Sequence, residues 1–161
     1  MKVYIRNKVI SLGGSSEVFN ENNETLFKVK GKIFTFTKKK KMYDINNALL
    51  YTIRNKYWTF MSRQVMIKDA NGDIVARIKK DKHSLNCDYE ILDTDDEMSI
   101  DGKFFSRSSH IMKNGKPVAT INREISLIKD AFSLEAEEND IAFYTALVIG
   151  FDNLTDRKEK L

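Results

Sequence analysis

Four segments of the chain open on the same turn signal and continue with the same alternation. They are "NNETLFKVK" (Asn22 to Lys30), "NNALLYTIR" (Asn46 to Arg54), "NGDIVARIK" (Asn71 to Lys79) and "NGKPVATIN" (Asn114 to Asn122). Asn-Asn and Asn-Gly reach the positive φ of a tight hairpin more readily than other pairs. Behind each turn stands a β-branched residue, Val29, Ile53, Ile78 or Ile121, and two positions earlier Phe27, Tyr51, Ala76 or Ala119. Lys28, Thr52, Arg77 and Thr120 lie between them. Apolar and polar residues alternating after a turn are the pattern of a half-buried strand. The arms ahead of the turns, "EVFNE", "KMYDI", "QVMIKD" and "SSHIMK", supply the partner strand of each hairpin. The spacing is too irregular for a solenoid of fixed period.

Further strand-like runs fill the gaps: "GKIFTFTK", "RNKYWTFM", "SLNCDYEILD", "DEMSIDGKFFSR" and "DAFSLEA". With the hairpins they make roughly ten to twelve strands, enough to close a sheet on itself. Successive antiparallel hairpins in a small domain imply a closed barrel or a sandwich, because closure removes exposed edges. A chain of 161 residues with a single proline and seven glycines offers no linker, so one domain over residues 1–161 is expected.

The end of the chain breaks the alternation. "NDIAFYTALVIGFDN", Asn139 to Asn153, is apolar from Ile141 to Gly150 except for Thr145. Glu137, Glu138 and Asp140 precede it, as suits a helix N-terminus, and Gly150 stands near its end. The expected helix spans about residues 140–151. Ile141, Phe143, Val148 and Ile149 would also suit a buried strand over part of the run. A helix apolar on every side must be surrounded by protein, and its length of about 16 Å is roughly half a bilayer core. A barrel of about twelve strands is too wide for its own side chains to fill. A helix along the barrel axis satisfies both requirements.

Few residues carry recognisable chemistry. Cys87 is the only cysteine, which excludes an internal disulfide and a cysteine-built metal site. His83 lies four residues before it, and on a strand that spacing separates the two by about 13 Å, beyond the reach of a Cys-His nucleophile pair. "DTDDE", Asp93 to Glu97, is the densest acidic cluster, but it lacks the Gly and the distal Glu of an EF-hand loop and reads as a solvated turn. Asp69, Asn71 and Asp73 are ordinary turn formers. Phosphate loops, nucleophile elbows and zinc motifs do not occur. The expectation is a protein that is not an enzyme, with no cofactor and no metal. "MKVYIRNKVISLGG" alternates and is not a signal peptide, so the expected location is the cytoplasm.

Charge is unevenly spread. Residues 1–82 hold 18 Lys and Arg against 7 Asp and Glu, and the remainder 9 against 16. Such asymmetry suggests a basic face able to meet phosphate groups, although solvated walls would produce the same count. If Val29, Ile53 and Ile78 face the interior, alternation sends Lys28, Lys30, Arg54, Lys56, Arg77 and Lys79 outward. The run Lys38, Lys39, Lys40 and Lys41 lies between two strand-like segments and joins the candidate anion-binding set. Tyr57, Trp58 and Phe60 beside Arg54 and Lys56 would suit base stacking, but no nucleic-acid motif accompanies them.

The stretch "IMKNGKPVATINREISLIKDAFSLEAEENDIAFYTALVIGFDNLTD", Ile111 to Asp156, resembles the LURP-one-related family in the order of its parts. A "G-x-x-V-A-x-I" strand, a Phe-containing strand, an acidic stretch and a final apolar helix ending near Asp follow one another, and "VMIKDANGDIVARIKK" repeats the hairpin upstream. The resemblance covers nearly the whole chain and is to the bacterial branch within the tubby C-terminal-like and phospholipid-scramblase-like superfamily. It implies a twelve-stranded antiparallel barrel around a central C-terminal helix. For function it implies a non-catalytic binding or scaffold domain, with acidic, phosphoinositide-like headgroups meeting the basic residues at a membrane surface. The alternative is an interaction module for a protein partner, with nucleic acid or an enzyme further behind. There is no calcium-binding segment of the scramblase kind beside the terminal helix, so lipid scrambling is not expected.

Overall fold

In the computed structural model the described residues are 1–7, 16–31, 38–56, 62–81, 89–101, 107–125 and 130–154. They form twelve strands, a short 3-10 turn and one helix. The strands are β1 (Lys2–Asn7), β2 (Ser16–Asn20), β3 (Thr25–Gly31), β4 (Lys40–Tyr43), β5 (Leu49–Lys56) and β6 (Ser62–Lys68). They continue as β7 (Ile74–Asp81), β8 (Tyr89–Leu92), β9 (Met98–Asp101), β10 (Ser108–Lys113), β11 (Lys116–Ile125) and β12 (Asp130–Ala136), and helix α1 follows over Ile141–Leu154. Each strand pairs antiparallel with its sequence neighbours, and β1 closes on β12 with Val3 opposite Leu134 and Ile5 opposite Phe132. The closed barrel expected from the repeated hairpins is what forms, rather than the sandwich. Most of "GKIFTFTK" (residues 32–37), the start of "SLNCDYEILD" (84–88) and parts of "RNKYWTFM" (57–61) and "DEMSIDGKFFSR" (102–106), and with them His83, Cys87, Tyr57, Trp58 and Phe60, lie outside the described residues.

The turns follow from local chemistry. Asn23, Asn47, Gly72 and Gly115 all have positive φ, at 62°, 63°, 94° and 75°. In three hairpins the residue three positions before the positive-φ residue closes the turn with its side chain. The Oδ1 of Asn20, Asp44 and Asp69 accepts the backbone N–H of Glu24, Ala48 and Asp73 at 2.9, 2.8 and 2.9 Å. A register shift sits at the turn-proximal end of each of these hairpins. This is the extra residue of a bulge that follows a left-handed position.

Alternation then fixes what lies inside. Val29, Ile53, Ile78 and Ile121, the column read from the repeat, are all buried, and so are Val18, Met42, Val65 and Ile67 on the intervening strands. Helix α1 threads this interior and packs chiefly on β5, β6, β7 and β12. From Tyr144 to Phe151 every residue of the helix is buried. Thr145, the one polar interruption, donates its hydroxyl to the Ile141 carbonyl one turn earlier at 2.7 Å, so its burial leaves no unmet donor. The helix runs three residues past the expected end, because Gly150 serves a different purpose from a terminator. A Cβ at Gly150 would stand 2.7 Å from Ile78 Cδ1 and 3.4 Å from Val65 Cγ1. The missing side chain lets the helix approach β6 and β7.

Candidate functional site

The parity of the strands places the candidate basic residues. Lys28 and Lys30 on β3, Arg54 and Lys56 on β5, and Arg77 and Lys79 on β7 flank the buried Val29, Ile53 and Ile78 and stand on the outer wall. Lys41 on β4 is directly opposite Lys30, and Lys68 on β6 is directly opposite Thr52, which in turn faces Lys41. A row of Lys30, Lys41, Thr52 and Lys68 therefore crosses four strands, with Arg54 and Lys56 further along β5. At about 4.8 Å between strands its length is about 14 Å.

The candidates divide into three groups. Arg77 pairs with Asp93 at 2.5 Å and Lys79 with Glu90 at 3.1 Å, so these two carry their own counter-ions. Lys38 and Lys40 turn toward the end of α1: the Lys38 ammonium donates to the Asn153 carbonyl at 3.1 Å, and Lys40 lies 3.8 Å from the Asp152 carboxylate. Cations there satisfy the free carbonyls and the negative end of the helix dipole. The lysine run is thus not a turn, since Lys40 and Lys41 belong to β4. Lys28, Lys30, Lys41, Arg54 and Lys56 form the third group, and among the described residues no carboxylate pairs with them. Lys30 instead lies 5.2 Å from the Tyr43 ring centroid. Lys39 stands half-buried ahead of β4. Lys68 joins the third group although sequence reasoning missed it. Its signal was its place, one position beyond the buried Ile67.

The end of the barrel where the even-numbered strands finish and α1 begins is different in character. A cavity of about 330 Å3 opens there between the β8–β9 turn and the first turn of the helix. Its floor is Tyr51, Val75, Met98, Phe143 and Tyr144, and Asp95, Asp96 and Asp140 stand at its rim with Lys113. Tyr51 and Phe143 have ring centroids 6.2 Å apart, and Phe143 and Tyr144 5.7 Å, at inclinations of 54° and 51°. Burial raises the Tyr144 phenol above its ordinary range, with the Asp140 carboxylate adding to the effect. Burial does the same to Tyr51, where Asp69 and Asp140 add to it. Asn114 fixes the rim: its Nδ2 donates to Asp96 at 2.9 Å and its Oδ1 accepts the Glu97 N–H at 3.1 Å. Lys113 binds the other Asp96 oxygen at 2.7 Å.

Neither place holds a constellation for metal. Among the described residues no three His, Cys, Asp or Glu side chains converge on one point; "DTDDE" itself is the connection from β8 to β9. No described helix is long and apolar enough to cross a membrane.

An antiparallel barrel of twelve strands closed around one C-terminal helix defines the class of protein. Residues 1–152 match the LURP-one-related family, and the chain belongs to it. Among solved structures, a protein of Arabidopsis thaliana determined by X-ray crystallography superposes with a TM-score of 0.61 at 20% identity, over 94% of this chain and 90% of that one. At that identity the likeness is one of fold. Comparison with curated proteins gives no match.

Proposed function

We propose that this domain is a non-catalytic binding module that docks through the outer wall of β3–β6 onto a polyanionic surface, with acidic phospholipid headgroups as its ligand. The observation that carries the reading is the direct pairing of Lys30 with Lys41 across β3 and β4. Like charges directly opposite each other destabilise a sheet unless something neutralises them. Here the pair is flanked by Lys28, Arg54 and Lys68, and Glu17 on β2 stands opposite Lys28 rather than opposite either member of the pair. A layer of phosphate groups would supply the missing charge along the whole 14 Å row. The resemblance of the sequence to the tubby C-terminal-like and scramblase-like superfamily, which implies basic residues meeting phosphoinositides, accords with this reading. The outer face of a closed barrel curves outward, whereas a single nucleic-acid strand is bound along a groove, which favours a lipid surface here.

Flotation with phosphatidylcholine vesicles, with and without an anionic phospholipid, tests it. The protein is expected to float only with the anionic vesicles and to be released by salt. Recovery independent of lipid charge would overturn the reading.

A further inference from the structure

The cavity at the turn end takes no part in the basic wall, and its chemistry is opposite in sign. Three aromatic rings, Tyr51, Phe143 and Tyr144, succeed one another at 6.2 and 5.7 Å with mutual tilts near 50°. Asp95 and Asp140 stand above them, and among the described residues neither carboxylate pairs with a cation. The one lysine at the rim, Lys113, is already bound to Asp96 at 2.7 Å. We infer that this pocket binds a small organic cation bearing an alkylated ammonium group, with the rings as its walls and Asp140 and Asp95 as its counter-charges.

Each feature selects against other ligands. An anion would meet two unneutralised carboxylates. The positive end of the helix dipole offers it little, because Glu138 and Asp140 stand in the 3-10 turn (Glu138–Asp140) just ahead of the helix. A hard metal ion needs about six to eight oxygen ligands, and no three described acidic or His side chains converge here. A neutral apolar ligand would gain from the floor but leave the carboxylates beside it without a partner. An alkylated ammonium, weakly hydrated and spread over its methyl groups, is attracted to ring faces within about 6 Å. It asks for no directed hydrogen bond, which suits rims whose carboxylates stand at the mouth. The volume of about 330 Å3 falls at the small end of ligand sites, which run from about 300 to 1,000 Å3. Burial is the larger cause of the raised Tyr51 and Tyr144 phenols, and the Asp140 carboxylate adds to it at both rings.

Titration of the full chain with choline, followed by the protein's aromatic-region NMR signals and by the choline N-methyl resonance, provides the test. Saturable binding is expected, with the N-methyl signal moved upfield by the rings. The uncharged isostere 3,3-dimethylbutan-1-ol is expected not to bind. Asp140→Asn, at an exposed position, should weaken choline binding by roughly two- to fivefold, the scale of one exposed charge contact. Phe143→Leu, checked for native circular dichroism, should weaken it by about tenfold, as one lost cation–π face would. A variant of the wall, Lys30→Gln with Lys41→Gln and Arg54→Gln, should bind choline unchanged, so failure here and failure of the lipid reading are separable. Equal binding of choline and the neutral alcohol, no saturation by choline, or full affinity in Asp140→Asn would each overturn the assignment.

Discussion

Asp96 accepts from Lys113 on one oxygen and from Asn114 on the other, and so joins two hairpins that share no strand. The bond from Lys113, then that from Asn114, holds its carboxyl below the ordinary 3.8. The same partnership raises Lys113 above 10.5. A depressed carboxyl stabilises the fold fully above pH 3.8, and that contribution is lost as pH falls through the lowered value. The raised ammonium works in the other sense, fully effective below pH 10.5 and lost as pH rises through its higher value. Thermal melts of wild type and Asp96→Asn should therefore differ by a constant amount from about pH 5 to 9 and converge in acid. A difference that persists below the depressed pKa would assign the effect to packing instead. At this scale the sequence was partly legible. The residues of positive φ could be read because backbone strain is local to Asn23, Asn47, Gly72 and Gly115. The roles of Lys38 and Asp96 could not, since their partners stand 115 and 17 residues away and no local pattern encodes them.

Helix α1 shows what an element takes from its surroundings. Its run without a polar face announced burial, and the barrel supplies it on every side. Gly150 was legible only as a residue that ends helices, because its use depends on Ile78 and Val65 of strands far back in the chain. Replacing it by Ala gains about 1 kcal/mol of helix propensity. It also drives a methyl to 2.7 Å from Ile78 Cδ1 in a filled core, where overpacking costs about 1–3 kcal/mol. The second effect is the larger, so Gly150→Ala is expected to destabilise by up to about 2 kcal/mol in chemical denaturation. Ile78→Val removes the very methyl that clashes, at a cost of about 0.5–1.5 kcal/mol alone. The double variant should be more stable than the sum of the two predicts, and strict additivity would place the strain elsewhere. Ala146→Asp, at a position with no exposure at all, should abolish cooperative folding, because an unpaired carboxylate there has neither water nor a partner. A well-folded Ala146→Asp protein would remove the helix from the interior.

Over the whole molecule the uneven charge of the sequence becomes an arrangement in space. The basic first half supplies the outer wall of β3 to β7, and the acidic second half supplies Glu90 and Asp93 at its border and the rim of the turn-end pocket. Alternation told which basic residues would face outward, but not which would find counter-ions, because that depends on β8 lying beside β7 in one register. The distinction yields a test of what a lipid surface would feel. Each Lys or Arg near an anionic membrane contributes about 1 kcal/mol. Lys30→Gln, Lys41→Gln and Arg54→Gln together should thus weaken vesicle binding by about 3 kcal/mol, close to two powers of ten. Removing Arg77–Asp93 and Lys79–Glu90 as whole pairs, by Arg77→Gln, Asp93→Asn, Lys79→Gln and Glu90→Gln, leaves the net charge unaltered. That variant should float like wild type and lose little stability, since exposed pairs are worth about 0–1 kcal/mol each. Binding of wild type should fall as salt shortens the screening length from about 10 Å at 0.1 M to about 3 Å at 1 M. If the paired and unpaired sets weaken binding alike, the wall has no privileged strip, and Arg77 and Lys79 meet the membrane despite their counter-ions.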